Sequence, residues 1–235
     1  MITTDFHSHI LPGIDDGSVS AEMSVAMLLR MAQQGITRVV ATPHFYPHRN
    51  TLERFFARRE NAVRQLQQAM EGYPGLPQII LGAEVYYFAG ISRSEILPRL
   101  AIGNTGCILI EMPHAPWTEE MYRELENIRI RHGLIPIIAH LDRYITPLRQ
   151  YGIPERVQQM DVLVQLNGSF FLHRGNRRLA RKLLEKDCIH LIGSDCHDMA
   201  GRAPNLDLAL EAIRQQMGEH CLERMAQYER YVLDK

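Results

Sequence analysis

Histidine and carboxylate residues recur along this chain at the ends of short apolar segments. His7 and His9 close the first segment, and Asp15-Asp16-Gly17 turns just beyond it. His44 follows the second, Glu84 lies near the end of the third, Glu111 closes the fourth and His140 the fifth. The last segment ends in Gly193-Ser194-Asp195-Cys196-His197. Neutral imidazoles and carboxylates together suit Zn, Mn or Fe, whereas an all-oxygen set would point to Mg or Ca. Two or three ions sharing a bridging carboxylate would use the whole set. Singly, each residue has a plainer reading. His-x-His pairs are often incidental, Glu84 and Glu111 suit strand-end salt bridges, Asp-Asp-Gly is a common turn, and His140 suits a hydrogen-bonded core histidine. Their recurrence at nearly every segment end is what points to a polynuclear metal site.

Residues so far apart meet only if the fold gathers them. Seven strand signals lie near Ile2–His7, Ile36–Ala41, Gln78–Val85, Cys107–Glu111, Leu134–Ala139, Asp161–Leu166 and Cys188–Gly193. Runs such as Ile135-Pro136-Ile137-Ile138-Ala139 read as strands covered on both faces. Between them the period lengthens to that of helices. Val25, Leu28, Leu29 and Ala32 form one stripe between Ser20 and Gly35, which supplies a left-handed cap. Leu52, Phe56, Val63, Leu66 and Met70 form another between Thr51 and Gly72. Thr118 caps a helix running to Gly133, and Asn205 caps one through Gln216. The alternation predicts an α/β fold, a parallel barrel of about seven strands with residues 1–235 as a single domain. In such a barrel the C-terminal strand ends meet at one rim, where the loops build the active site.

Composition narrows the class. The chain has 235 residues, 46% hydrophobic and 23% charged, which excludes disordered, collagen-like and coiled-coil proteins. With 26 Lys+Arg against 27 Asp+Glu, it lacks the basic excess of a nucleic-acid binder. Cys107, Cys188, Cys196 and Cys221 form no Cys-x-x-Cys pair, so neither a disulfide framework nor a Cys-rich zinc site is expected. The N-terminal residues lack a basic-then-apolar signal, and no apolar run reaches the ~20 residues of a membrane span. A soluble cytoplasmic protein without membrane insertion is expected. Asn167-Gly168-Ser169 reads as a loop.

Asp5-Phe6-His7-Ser8-His9, Asp15-Asp16-Gly17, Thr42-Pro43-His44, Gly82-Ala83-Glu84-Val85, Ala139-His140-Leu141-Asp142-Arg143-Tyr144 and Gly193-Ser194-Asp195-Cys196-His197 resemble the PHP (polymerase and histidinol phosphatase) superfamily. Within it they are most similar to the bacterial CpsB/YwqE-type metal-dependent protein-tyrosine phosphatases of capsule and exopolysaccharide systems. The resemblance implies a distorted (β/α)7 TIM-like barrel with two or three ions, usually Mn, with Fe or Zn as alternatives. It implies that His7, His9, Glu84 and Asp195 hold one ion. Glu84, Glu111 and His140 would hold a second, and Asp16, His44 and His197 a third. Arg143 and Arg202 match arginines that hold substrate phosphate. The loop Phe45-Tyr46-Pro47-His48-Arg49 fits less clearly and receives no role. The implied partner is a tyrosine-phosphorylated protein, a tyrosine autokinase with a phosphorylated tail.

The implied reaction is phosphoric monoester hydrolysis. A hydroxide bridging two ions would attack phosphorus while the third ion and the arginines hold its oxygens. Phenoxide, from a group of pKa about 10, leaves more readily than a serine alkoxide. No residue declares itself as a general acid, although Asp198 lies near the last motif. Cys196 and Arg202 also satisfy Cys-x5-Arg, the signature of thiolate phosphatases. Here no His precedes the Cys and Ala203 replaces the usual Ser/Thr, so Cys196 reads as a buried neighbour of ligands. Other readings are a histidinol-phosphate phosphatase, a PHP-type nuclease (disfavoured by charge) and a non-catalytic metal-holding interaction module.

Overall fold

The computed structural model describes residues 1–145 and 152–234. Its strands are β1 (Thr4–Ser8), β2 (Arg38–Ala41), β3 (His44–Phe45), β4 (Gln78–Leu81), β5 (Glu84–Tyr86), β6 (Cys107–Glu111), β7 (Ile135–Ile138), β8 (Leu163–Asn167) and β9 (Leu191–Gly193). The helices are α1 (Ala21–Gln33), α2 (Leu52–Met70), α3 (Glu119–His132), α4 (Asp142–Ile145), α5 (Ile153–Val157), α6 (Gly168–Leu172), α7 (Arg177–Glu185), α8 (Leu206–Met217) and α9 (Glu219–Leu233).

All strand pairs are parallel, in the orders β1-β2-β4 and β3-β5-β6-β7-β8-β9. The expected second strand breaks at Thr42-Pro43 and continues as β3, and the third breaks at Gly82-Ala83 and continues as β5. Pro43 has no N–H to give a ladder. Seven strand passes therefore make nine strands. The β1 edge meets β9 through a Ser8–Cys196 bridge, with Asp195 N–H donating to His7 O (2.8 Å) and His9 N–H to Cys196 O (3.0 Å). This is the distorted (β/α)7 barrel expected.

Alternation along the strands divides the core. On β6, Cys107 and Leu109 join an inner cluster with Phe6, Ile137, Leu163 and, from α9, Val232. Ile108 and Ile110 join the larger cluster with Leu125 and Ile128 of α3. Glu111 shares the parity of the inner set and so emerges at the barrel's rim.

Local signals mostly held. Ser20, Thr51 and Thr118 accept capping bonds from Met23, Arg54 and Met121 N–H. Gly35 and Gly133 take positive φ after their helices. Asn205 sits at the N-cap of α8 but its side chain makes no capping bond. On α2 the buried residues are Leu52, Phe55, Ala62 and Leu66; Phe56, Val63 and Met70 are only partly covered. Asn167-Gly168-Ser169 is no loop, because Asn167 ends β8 and α6 starts at Gly168. No described helix is long and apolar enough to cross a membrane.

Candidate metal centre

The rim gathers all nine residues that the family resemblance names as ligands. Glu84, at the start of β5, lies in the middle. Its Oε2 stands 3.2 Å from His7 Nε2, 3.3 Å from His9 Nε2 and 3.0 Å from His44 Nδ1, and its Oε1 2.7 Å from His140 Nε2. Asp195 Oδ1 faces His7 Nε2 and His9 Nε2 at 3.6 and 3.5 Å. Glu111 lies 3.7 Å from His44 and 3.9 Å from His140. Asp16 Oδ1 lies 3.5 Å from both His44 Nε2 and His197 Nε2. Among the described residues, three groups are compact enough to hold an ion: His7-His9-Asp195, His44-Glu84-Glu111 and His9-Asp16-His44-His197. His9 and His44 each belong to two, so the groups form one continuous cluster.

Close backbone approach builds this cluster. A Cβ on Gly17 would lie 2.3 Å from His9 O, and one on Gly193 would lie 2.5 Å from His7 Cβ. The pairing of β1 with β2 slips between Asp5 and Ser8, a bulge beside His7. His140 and Asp195 hold positive φ (32° and 52°), strained for residues with a Cβ.

A second layer orients the ligands. Asp15 Oδ2 lies 2.8 Å from His9 Nδ1 and accepts His44 N–H at 3.0 Å. Asp15 therefore supports the cluster while its neighbour Asp16, 64% exposed, faces it. Gln165 Oε1 contacts His7 Nδ1, and Gln165 Nε2 donates to Asn167 Oδ1 at 3.0 Å. Asn167 Nδ2 in turn donates to Asp195 Oδ2 at 2.8 Å. Buried Asp5 accepts from Ser194 N–H (2.9 Å) and Ser194 Oγ–H (2.5 Å), tying β1 to the turn that carries Asp195. Sequence reasoning missed Gln165, Asn167 and Ser194; the available signal was two polar residues in an otherwise apolar strand. Such outer partners fix imidazole tautomers and carboxylate orientation.

A family model for capsular polysaccharide synthesis, CpsB/CapC, matches residues 3–231. The chain belongs to the CpsB/CapC family. Among its relatives, tyrosine-protein phosphatase CpsB of Streptococcus agalactiae serotype III (strain NEM316) is 27% identical over 225 residues, covering 92% of this chain and 91% of that protein. CpsB of Streptococcus pneumoniae is 28% identical over 229 residues, covering 91% and 90%. Tyrosine-protein phosphatase YwqE of Bacillus subtilis (strain 168) is 27% identical over 231 residues, covering 91% and 85%. A crystal structure from work on YwqE of B. subtilis and CpsB of S. pneumoniae, described as unique metal-dependent tyrosine phosphatases, superposes with a TM-score of 0.84. It is 22% identical, over 99% of this chain and 95% of that one, and the likeness establishes the fold.

The donor set of this CpsB/CapC member fits metal ions. His44 Nδ1, Glu84 Oε2, Glu111 Oε2 and His197 Nε2 are buried and make no hydrogen bond among the described residues. Buried polar groups are nearly always hydrogen-bonded, so four such atoms in one cluster mark a place where cations replace protons as partners. Burial, reinforced by the Glu84 charge, pushes the Glu111 carboxyl up to about 8. Burial pulls His140 and His197 down to about 4, keeping both imidazoles neutral as ligands must be. Asp195 is buried, which alone would raise it, yet the charges of His7 and Arg143 hold it well below the usual carboxylate range.

The two arginines expected at the site are both present at the rim of the CpsB/CapC barrel. Arg143 and Arg202 pair with opposite oxygens of Asp195, Arg202 Nη2 at 2.7 Å. The side chains keep 30% and 38% exposure, so both also face solvent. Cys196 is wholly buried, and burial, with Asp5 alongside, pushes its thiol far above the ordinary range. A thiolate nucleophile therefore has no footing at Cys196, despite the Cys-x5-Arg spacing.

Proposed function

We propose that the chain is a metal-dependent protein-tyrosine phosphatase that hydrolyses O-phosphotyrosine on a protein substrate. The observation that carries this reading is the set of four unbonded buried donor atoms in one His/carboxylate cluster, flanked by two solvent-reaching arginines. Membership of the CpsB/CapC family and the names of its relatives support it. His7, His9, Glu84 and Asp195 are assigned to one ion, Glu84, Glu111 and His140 to a second, and Asp16, His44 and His197 to a third. Mn is the proposed metal. When bound, the ions would activate water and neutralise phosphoryl charge.

The chain's own residues then have separate duties. Asp15 and Gln165 keep His9 and His7 with Nε2 turned to the cluster. Arg143 and Arg202 hold phosphoryl oxygens, a duty that suits the planar guanidinium fork. The substrate is proposed to be the phosphorylated tail of a cytoplasmic tyrosine autokinase, met by a single-domain enzyme in the same compartment.

The test is turnover of a phosphotyrosine peptide, a phosphoserine peptide and histidinol phosphate by Mn-reconstituted protein. Phosphotyrosine should be turned over best and chelation should abolish the reaction. Preferred turnover of histidinol phosphate would move the assignment to the small-molecule phosphatase. Inactivity of fully metallated protein on all three would favour a metal-holding interaction module.

A further inference from the structure

The segment after β3, Tyr46-Pro47-His48-Arg49, has no part in the metal cluster yet stands against it. Tyr46 stacks on His44, ring centroids 5.0 Å apart and planes 29° from parallel. Tyr86, at the end of β5, lies 5.6 Å from the Tyr46 ring. The Arg49 guanidinium lies over Tyr46 at 5.2 Å. Arg58, by contrast, is committed to the carbonyls of Gly13 and Ile14. A cavity of about 540 Å³ opens here, its lining including Asp16, His44, Tyr46, Arg49, Asn50 and Arg58.

Resting on the phosphatase reading, we infer that this cavity is an aryl subsite, with Tyr46 and Arg49 as the residues that select an aromatic phosphate ester. A phosphoryl group drawn to the His44–Asp16 edge carries its ester substituent one oxygen away, which places a phenyl ring inside this cavity. Tyr46 offers the offset or edge-on packing that aromatic rings prefer at centroid distances of about 4.5–7 Å. Arg49 offers a cation for the ring's negative face, and no carboxylate among the described residues pairs with it. An alkyl ester gains neither contact. On the opposite flank Tyr144 is wholly buried and its hydroxyl accepts Met112 N–H at 2.9 Å.

The experiment measures binding, not turnover. Mn-loaded protein is titrated calorimetrically with methylphosphonate, benzylphosphonate and cyclohexylmethylphosphonate, none of which can be hydrolysed. Wild type should prefer benzyl over methyl, and benzyl over cyclohexylmethyl. Tyr46→Ala should cut the benzyl-to-methyl preference about tenfold. Tyr46→Phe should keep it, and Arg49→Ala should lower it with metal content and Tm unchanged. Equal binding of the three phosphonates by wild type, or an unchanged preference in both alanine variants, overturns the aryl subsite and leaves the phosphatase reading standing. Binding of none of the three overturns both.

Discussion

Gln165 Oε1 stands 3.1 Å from His7 Nδ1 while accepting His140 N–H at 2.7 Å. The His140 amide has only a proton to give, so this atom is an acceptor and Nδ1 of His7 carries its proton. Nε2 of His7 is therefore the ring nitrogen left to face Glu84 and Asp195. One side-chain amide from β8 sets the tautomer of one imidazole and anchors the backbone of another. Gln165→Leu should lower Mn affinity about 10–100-fold, read by titration of chelated protein, with activity recovering at high Mn. Unaltered affinity would make Gln165 a packing residue.

Glu84 touches four imidazoles, whereas Cys196 is a sealed thiol. Glu84→Ala should lower kcat/KM on phosphotyrosine peptide by at least about a hundredfold, since the carboxylate proposed to serve two ions would be lost along with its charge. Cys196→Ser should keep most activity. A dead Cys196→Ser enzyme with normal metal content and melting behaviour would reverse the choice of nucleophile.

Arg143 and Arg202 meet on Asp195 from opposite sides, and each reaches solvent. Arg143→Ala and Arg202→Ala should each reduce kcat/KM by at least about tenfold, or 1.4 kcal/mol, with the loss shared between kcat and KM. Arg→Lys should restore only part, because a point charge lacks the bidentate fork. Wild-type kinetics in both alanine variants would remove these residues from substrate binding and leave the ligand set untouched.

His190 tests pH dependence away from the rim. Its Nδ1 accepts Val164 N–H at 2.9 Å and its ring packs edge-on to Tyr228 at 4.6 Å. Burial pulls it from an ordinary 6.5 to about 4. Between those values the unfolded chain binds the extra proton, so this contribution to stability is present above pH 6.5 and is lost as pH falls towards 4. Melting curves recorded from pH 7 to pH 4 should show a shallower fall for His190→Gln than for wild type. Parallel curves would contradict the assignment.

Much of the site could be read along the chain because ligand chemistry is carried by residue type and barrel topology by period. Each of the seven strand passes is marked by an apolar run, and each proposed ligand lies on or just after one. The second layer was not legible. Gln165 and Asn167 look like two polar residues in an apolar strand, and Asn167-Gly168-Ser169 looks like a turn. Their meaning depends on His7 and Asp195, which lie far off in the chain. The same holds for Phe55 and Ala62 on α2, where the core-facing side depends on how the helix rolls on its neighbours.

The sequence by itself determined the seven-pass βα alternation, the His and carboxylate residues at the segment ends and the lack of a basic excess, since all three follow from residue identity and local period. Only the tertiary structure decided that Asp15 supports His9 and the His44 amide. It alone showed that Arg143 and Arg202 share Asp195, and that Tyr46 and Arg49 border a cavity beside His44. These are distances between side chains brought together by strand register, two backbone kinks and close glycine packing. No local pattern encodes them, because each depends on where a distant segment of the chain comes to rest.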